Sequence, residues 1–185
     1  MNEYTSKGAS ISLCGKYRFS LWREWRGVAA RANWRWYGDK DGNGAELGDP
    51  LSCVFVMLNP STADADQDDP TIRRCVSFAK ALKFDRVEVV NLYAYRATDP
   101  KDLFGAGDAM HHHKNQEYVE RAARDSGIII CAWGAHGEEF QAETVRGWMH
   151  TKKHFALGFT KGGQPRHPLY LPANARPVSM DRSHK

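Results

Sequence analysis

Four polar residues stand where short apolar runs of the chain stop. Asn59 follows the run at 52–58, Asn91 closes the run at 86–92, His136 lies just past 127–133, and His167 follows the weaker run at 154–159. An asparagine amide offers a donor beside an acceptor and can pair with the edge of a base. An imidazole can hydrogen-bond a carbonyl oxygen that gains negative charge as a bond breaks. This set suits a planar, uncharged, hydrogen-bonding ligand, and a nucleobase cleaved at its glycosidic bond fits it.

Other chemistry-bearing groups point less far. Asp64, Asp66, Asp68 and Asp69 are clustered carboxylates of the kind hard cations prefer. Asp69, directly before Pro70, serves better as a helix cap, and the remaining three read as a solvated acidic loop. A metal-dependent hydrolase built on the 64–69 loop is therefore a second alternative, and no metal or cofactor is expected. His111, His112 and His113 are consecutive, and on a helix their side chains diverge by about 100° each, so they cannot face one ion together. Residues 39–44 imitate half of a calcium loop, but Pro50 stands where the bidentate glutamate belongs, so a glycine-rich turn is expected. Arg73 and Arg74 sit near a helix start, where amide dipoles already favour a phosphate. The four cysteines form no CxxC, and Cys53, Cys75 and Cys131 fall on apolar elements where a thiol is ordinarily core.

The elements that must carry these residues follow from the apolar pattern. The run at 52–58 reads as a buried strand, stopped by Asn59-Pro60-Ser61. Asp69-Pro70 opens a helix whose apolar stripe is Ile72, Cys75, Val76, Ala79 and Leu82. A strand at 86–92, a helix at 108–124, a strand at 127–133, a helix ending near Met149 and a strand at 154–159 complete the alternation. That alternation predicts an α/β fold, a three-layer α/β/α sandwich with a mostly parallel central sheet. In such sheets ligands bind beyond the carboxyl ends of the strands, so the four polar stations converge on one edge.

Near the N-terminus, Tyr17, Phe19 and Leu21 alternate with polar neighbours, predicting a half-buried strand. Residues 33–37 are expected to pair with it as an N-terminal antiparallel edge hairpin. In that layer Trp22, Trp25, Trp34 and Trp36 cover the core while Arg23, Arg26, Arg31 and Arg35 are solvated. A basic aromatic surface that stacks on single-stranded nucleic acid is the competing reading.

Length and composition bound the rest. A chain of 185 residues, 42% apolar, makes one domain over 1–185, with its core at about 15–175 and flexible termini. A formal charge of +4 and a pI of about 8.9 permit an anionic partner without demonstrating one. No apolar run reaches the roughly eighteen residues of a membrane span, and the N-terminus lacks a signal-peptide core. A cytoplasmic protein with no membrane association is expected, and protein partners are not legible.

Four segments, MLNPSTADADQDDPTIRR, VEVVNLYAYRATDP, CAWGAH and HPLYLP, resemble a bacterial and phage family known as domain of unknown function 1643, over roughly residues 15–175. The same segments, in the same order, more distantly resemble the uracil-DNA glycosylase superfamily. That likeness implies a uracil-DNA-glycosylase-like fold and a nucleobase, nucleotide or DNA as partner. LNPS is similar to the water-positioning loop, which implies a catalytic Asn59 with Pro60 and Ser61 beside the substrate. VVNLYAYRA is similar to the base-reading strand end and implies substrate contacts from Asn91 and Tyr93. AWGAH resembles the LWG-x-H strand end and implies contacts from Trp133 and His136. HPLYL resembles the His-Pro-Ser-Pro-Leu loop, which makes His167 catalytic and puts Leu169, Tyr170 and Leu171 in the place of the DNA wedge. Arg73 joins the expected substrate contacts on the separate ground of its place near the helix start, where a phosphate is favoured. The tight loop Gly-Gln-Asp-Pro-Tyr-His is absent, so no aspartate comes with the likeness. A glycosylase-like hydrolase is the function expected, and a non-catalytic module for a nucleotide or modified base, in a phage or DNA-modification setting, is the alternative.

Overall fold

The run Ser52–Met57 (β5) is buried at every position, with Val54 and Val56 on one face and Cys53, Phe55 and Met57 on the other. Burial on both faces requires cover on both faces, and the chain supplies it. The helix Pro70–Ala81 (α1) lays Ile72, Cys75, Phe78 and Ala79 over the Phe55 face. The helices His112–Asp125 (α2) and Glu139–Trp148 (α3) bring Val119, Ala122, Ala123 and Val145 to the Val54 face. The computed structural model describes residues 4–25, 36–38, 44–46, 51–103, 112–137 and 139–180.

The main sheet has seven strands, and its centre is parallel. Arg86–Asn91 (β6), β5, Ile128–Cys131 (β7) and His154–Ala156 (β8) lie side by side in that order, each pair parallel. Antiparallel strands close both edges. Arg18–Glu24 (β2) pairs with β6, Ser6–Ile11 (β1) pairs with β2, and Val178–Ser179 (β9) pairs with β8. Three of the six pairings are thus antiparallel, so the sheet is mixed, and the expectation of a mostly parallel one holds only for its four central strands.

The first helix starts as Asp69-Pro70 predicts. The Asp69 carboxylate accepts the Ile72 N–H at 2.8 Å, and Pro70 opens the helix without a donor to lose. Cys53, Cys75 and Cys131 are buried, and burial raises all three thiols, Cys131 to about 12.

The N-terminal hairpin has a different partner from the one expected. β2 pairs with β1, whose sequence SKGASI carries too few apolar residues to announce a strand. Trp36–Gly38 (β3) pairs instead with Gly44–Glu46 (β4) in a separate two-stranded sheet. Arg26, Arg31, Trp34, Arg35 and residues 39–43 of the expected glycine-rich turn lie outside the described residues, as does His111. Arg23 overturns the expectation of solvated arginines, for its side chain is 0% exposed.

Candidate functional site

A cavity of about 640 Å³ opens at the carboxyl ends of β5, β6, β7 and β8, on the α1 side of the sheet. Asn59, Asn91, Trp133, His136 and His167 all line it, so the strand ends bring the predicted stations together. Ser61, Leu169 and Tyr170 line it too. Leu169 and Tyr170 are exposed at 42% and 72%, which places them at the rim beside the His167 ring.

Asn91 is the last residue of β6, and its side chain shares a face with Val89. It is fully buried, and neither its amide oxygen nor its amide nitrogen has a hydrogen-bond partner among the described residues. A buried amide left unsatisfied costs about 1–3 kcal/mol for each unmade bond, so such groups are rare outside sites that await a partner.

Asn59 is held differently. Its Nδ2 donates to the carbonyl of Ala97 at 2.7 Å and to that of Pro60 at 3.1 Å. Both amide hydrogens are therefore occupied, which fixes the amide's orientation and leaves Oδ1 as an acceptor for a water or a ligand N–H.

His167 opens the turn Pro168–Tyr170, and its Nδ1 accepts the Leu169 N–H at 3.3 Å. A neutral ring so engaged carries its proton on Nε2, a donor suited to a carbonyl oxygen. Burial holds the imidazole below its ordinary pKa of 6.5, against an upward pull from the charge of Asp69. Gly134 lies against the base of this side chain. Its φ is +82°, and a Cβ there would meet the His167 Cβ at 3.4 Å. Trp133 is tied down through Nε1–H to Gln164 Oε1 at 2.8 Å, while His136 is exposed.

Four expected contacts lie elsewhere. Pro60 is buried behind the wall, where its carbonyl accepts the Ala97 N–H at 3.0 Å. Tyr93 packs against the α2–α3 core. Arg73 is exposed, with Nη1 bonded to the Asp68 carbonyl, and does not line the cavity. Leu171 is 7% exposed and belongs to the α1-side core, so it is no candidate wedge.

The acidic loop proves to be scaffold. Asp64 caps its own turn, accepting the Asp66 and Gln67 N–H groups, and those bonds hold its carboxyl below its ordinary pKa. Asp66 pairs with Lys7, Asp68 pairs with Arg23 at 2.7 Å and accepts from Tyr4, and Asp69 caps α1. Among the described residues no group of three or more His, Cys, Asp or Glu side chains is placed to hold a metal ion. The carboxylates of the 64–69 loop are thus engaged by partners within the protein.

Arginines fasten the same loop through its carbonyls. Arg18 donates to Ala63, Arg23 to Asp64, and Arg96 to Ser61 and Thr62. Arg74 does the same for the opposite wall, at Pro168 and Leu171. Of these only Arg18 lines the cavity, joined there by Asp69, Thr98, Thr160 and Arg166. None of the five was expected to face a ligand. Asp69 alone carried a signal, its position just ahead of a helix within ten residues of Asn59.

A family described as protein of unknown function (DUF1643) matches the chain over residues 18–169. Neither the curated proteins nor the solved structures contain a match.

Proposed function

This chain belongs to the DUF1643 family, and from that premise we propose that its cavity binds a nucleobase, free or within a nucleotide or DNA, and cleaves its N-glycosidic bond. One observation carries the reading: the Asn91 amide, fully buried and without partners among the described residues, lines the cavity. A ligand edge with a donor beside an acceptor satisfies both of its atoms, and a base edge is such an edge.

The rest of the wall has groups suited to hydrolysis. Asn59 Oδ1 accepts from a water and sets its direction. The Nε2–H of a neutral His167 stabilises a keto oxygen as the base departs with the bonding electrons. Asp69 supplies a carboxylate in the same cavity, although no tight aspartate loop follows β5. We read the sheet, with helices on both faces, as a uracil-DNA-glycosylase-like three-layer sandwich. If the substrate is duplex DNA, the base must leave the stack, and Leu169 and Tyr170 at the rim are the side chains able to fill the gap.

A second reading, a non-catalytic binding module, draws on one feature. Asn59 clamps its own loop to Ala97 and thus has a structural duty whether or not it meets a water. Thermal shift with bases, nucleosides, nucleotides and short DNA tests the binding claim. A ligand present at one hundred times its Kd adds about 2.7 kcal/mol of stability. Asn59→Ala separates the two readings: lost turnover with retained binding supports the enzyme, and no turnover in the wild-type chain supports the module.

A further inference from the structure

A second buried side chain in the cavity has donors without partners. Arg18 opens β2, the strand beside β6, and its backbone N–H bonds the Ala94 carbonyl three residues past Asn91. The residue is 2% exposed and lines the cavity. Its Nη1 donates to the Ala63 carbonyl at 2.7 Å. Nε is sealed without a partner, and Nη2 forms no hydrogen bond among the described residues. No carboxylate of those residues forms an ion pair with it. Nε–H and Nη2–H are the two prongs of the guanidinium's side-on fork, which fits two adjacent acceptors.

Arg23, five residues on and also buried, shows what a satisfied arginine looks like in this fold. Its Nε and Nη2 both meet Asp68, and its other donors reach the carbonyls of Gly8, Trp22 and Asp64. Arg18 differs in facing a cavity, and its fork is unfilled. The Asp69 carboxylate in the same cavity offsets part of the Arg18 charge without bonding to it, so the unmade hydrogen bonds of the fork are what make the difference informative.

Building on the nucleobase reading above, the geometry points to a 6-oxopurine as the ligand, read on two adjacent edges by Arg18 and Asn91. Oxygen O6 and nitrogen N7 of guanine or hypoxanthine are the adjacent acceptor pair that a guanidinium fork takes bidentately. The neighbouring edge sets O6 beside N1–H, which matches Asn91 Nδ2–H beside Oδ1. The two side chains come from neighbouring strands, and the two edges meet at O6. Adenine turns its N6 amino group toward the donor-only Arg18 fork and is rejected there, whereas the Asn91 amide can pair with adenine as well, so the discrimination rests on Arg18. Uracil satisfies Asn91 but leaves one prong of the Arg18 fork empty.

Calorimetric titration of the full chain with guanosine, inosine, adenosine, uridine and inorganic phosphate tests this. Guanosine and inosine should bind at least about tenfold more tightly than adenosine and uridine. R18K, which keeps the charge and loses the fork, should erase that preference. 7-Deazaguanosine removes the N7 acceptor with the protein unchanged, and about tenfold weaker binding than guanosine is expected whether or not R18K folds. Equal binding of all four nucleosides overturns the 6-oxopurine assignment and leaves the nucleobase reading standing. Undiminished 7-deazaguanosine binding, or Arg18-dependent binding of phosphate alone, also overturns it. Failure of every nucleoside to bind overturns the 6-oxopurine assignment, and failure of free bases, nucleotides and short DNA as well overturns the nucleobase reading with it.

Discussion

Replacing Asn91 with leucine should make the ligand-free protein more stable. The asparagine is fully buried, and both polar atoms of its amide are without partners among the described residues. Each unmade bond costs about 1–3 kcal/mol, and leucine has a similar branched shape with nothing to desolvate. The added volume extends into a cavity of about 640 Å³, so overpacking is minor. The backbone carbonyl of residue 91 keeps its bond from Asn115 Nδ2 in the variant. A net gain of about 1–3 kcal/mol is expected, and for a chain of this size each kcal/mol raises Tm by roughly 2–4 °C. Ligand reverses the order: at one hundred times Kd it adds about 2.7 kcal/mol to the wild type and nothing to Asn91→Leu. Thermal melts of both proteins, with and without the best ligand from the screen, measure all four values. A variant that melts below the wild type without ligand would refute the reasoning, since it would show that the amide is already satisfied in the resting protein.

Arg23→Met should cost about 3–5 kcal/mol in urea denaturation, because it strands Asp68 and several carbonyls under β2. A loss below about 1 kcal/mol would match an exposed pair instead. His167 has a folded pKa below its unfolded 6.5, so its contribution to stability is complete above pH 6.5 and is lost as pH falls through the folded value. The stability difference between wild type and His167→Asn should therefore shrink as pH drops from 6.5; a difference that grows would show the ring is charged in the fold. Asp69→Asn keeps the cap but removes the charge that raises His167, so the imidazole pKa read by NMR should fall further. An unchanged value would place that carboxylate out of reach. Gly134→Ala should lose about 1–2 kcal/mol from its left-handed backbone and weaken ligand binding through His167; full affinity would disconnect the two.

What the sequence disclosed was local. Short β-branched runs marked β5, β6 and β7, and Asp69-Pro70 marked the start of α1, because burial and capping are read within a few residues. The parallel rule then placed Asn59, Asn91 and His167 around one cavity without further information. What escaped was long-range. β1 is an edge strand with one buried residue, so it needs little hydrophobicity and gives little signal. Arg23 finds Asp68 forty-five residues away, and neither residue hints at the other. Leu171 looked like its exposed neighbours in a proline-rich loop, yet its side chain packs into the α1-side core while its carbonyl accepts from Arg74.

The arginines explain why a site made largely of loops can be precise. Residues 59–69 and 165–171 have almost no regular structure, so their carbonyls need donors from elsewhere. Arg18, Arg23, Arg74 and Arg96 supply them, each with a fork rigid enough to fix backbone position as well as satisfy it. Asn59 adds a fifth fastening, from the β5 end to Ala97. A wall fastened this way has its geometry set before the ligand arrives, which lowers the ordering cost of binding. In such a wall an unfilled donor is selective. Arg23 has partners all round it and Arg96 faces solvent in part, whereas Arg18 combines near-complete burial with a fork that no described residue fills, in the lining of a cavity. Scaffold alone would have been served by a fully bonded arginine like Arg23, so the unfilled edge of Arg18 is the part of the wall that the scaffold does not explain and a ligand does.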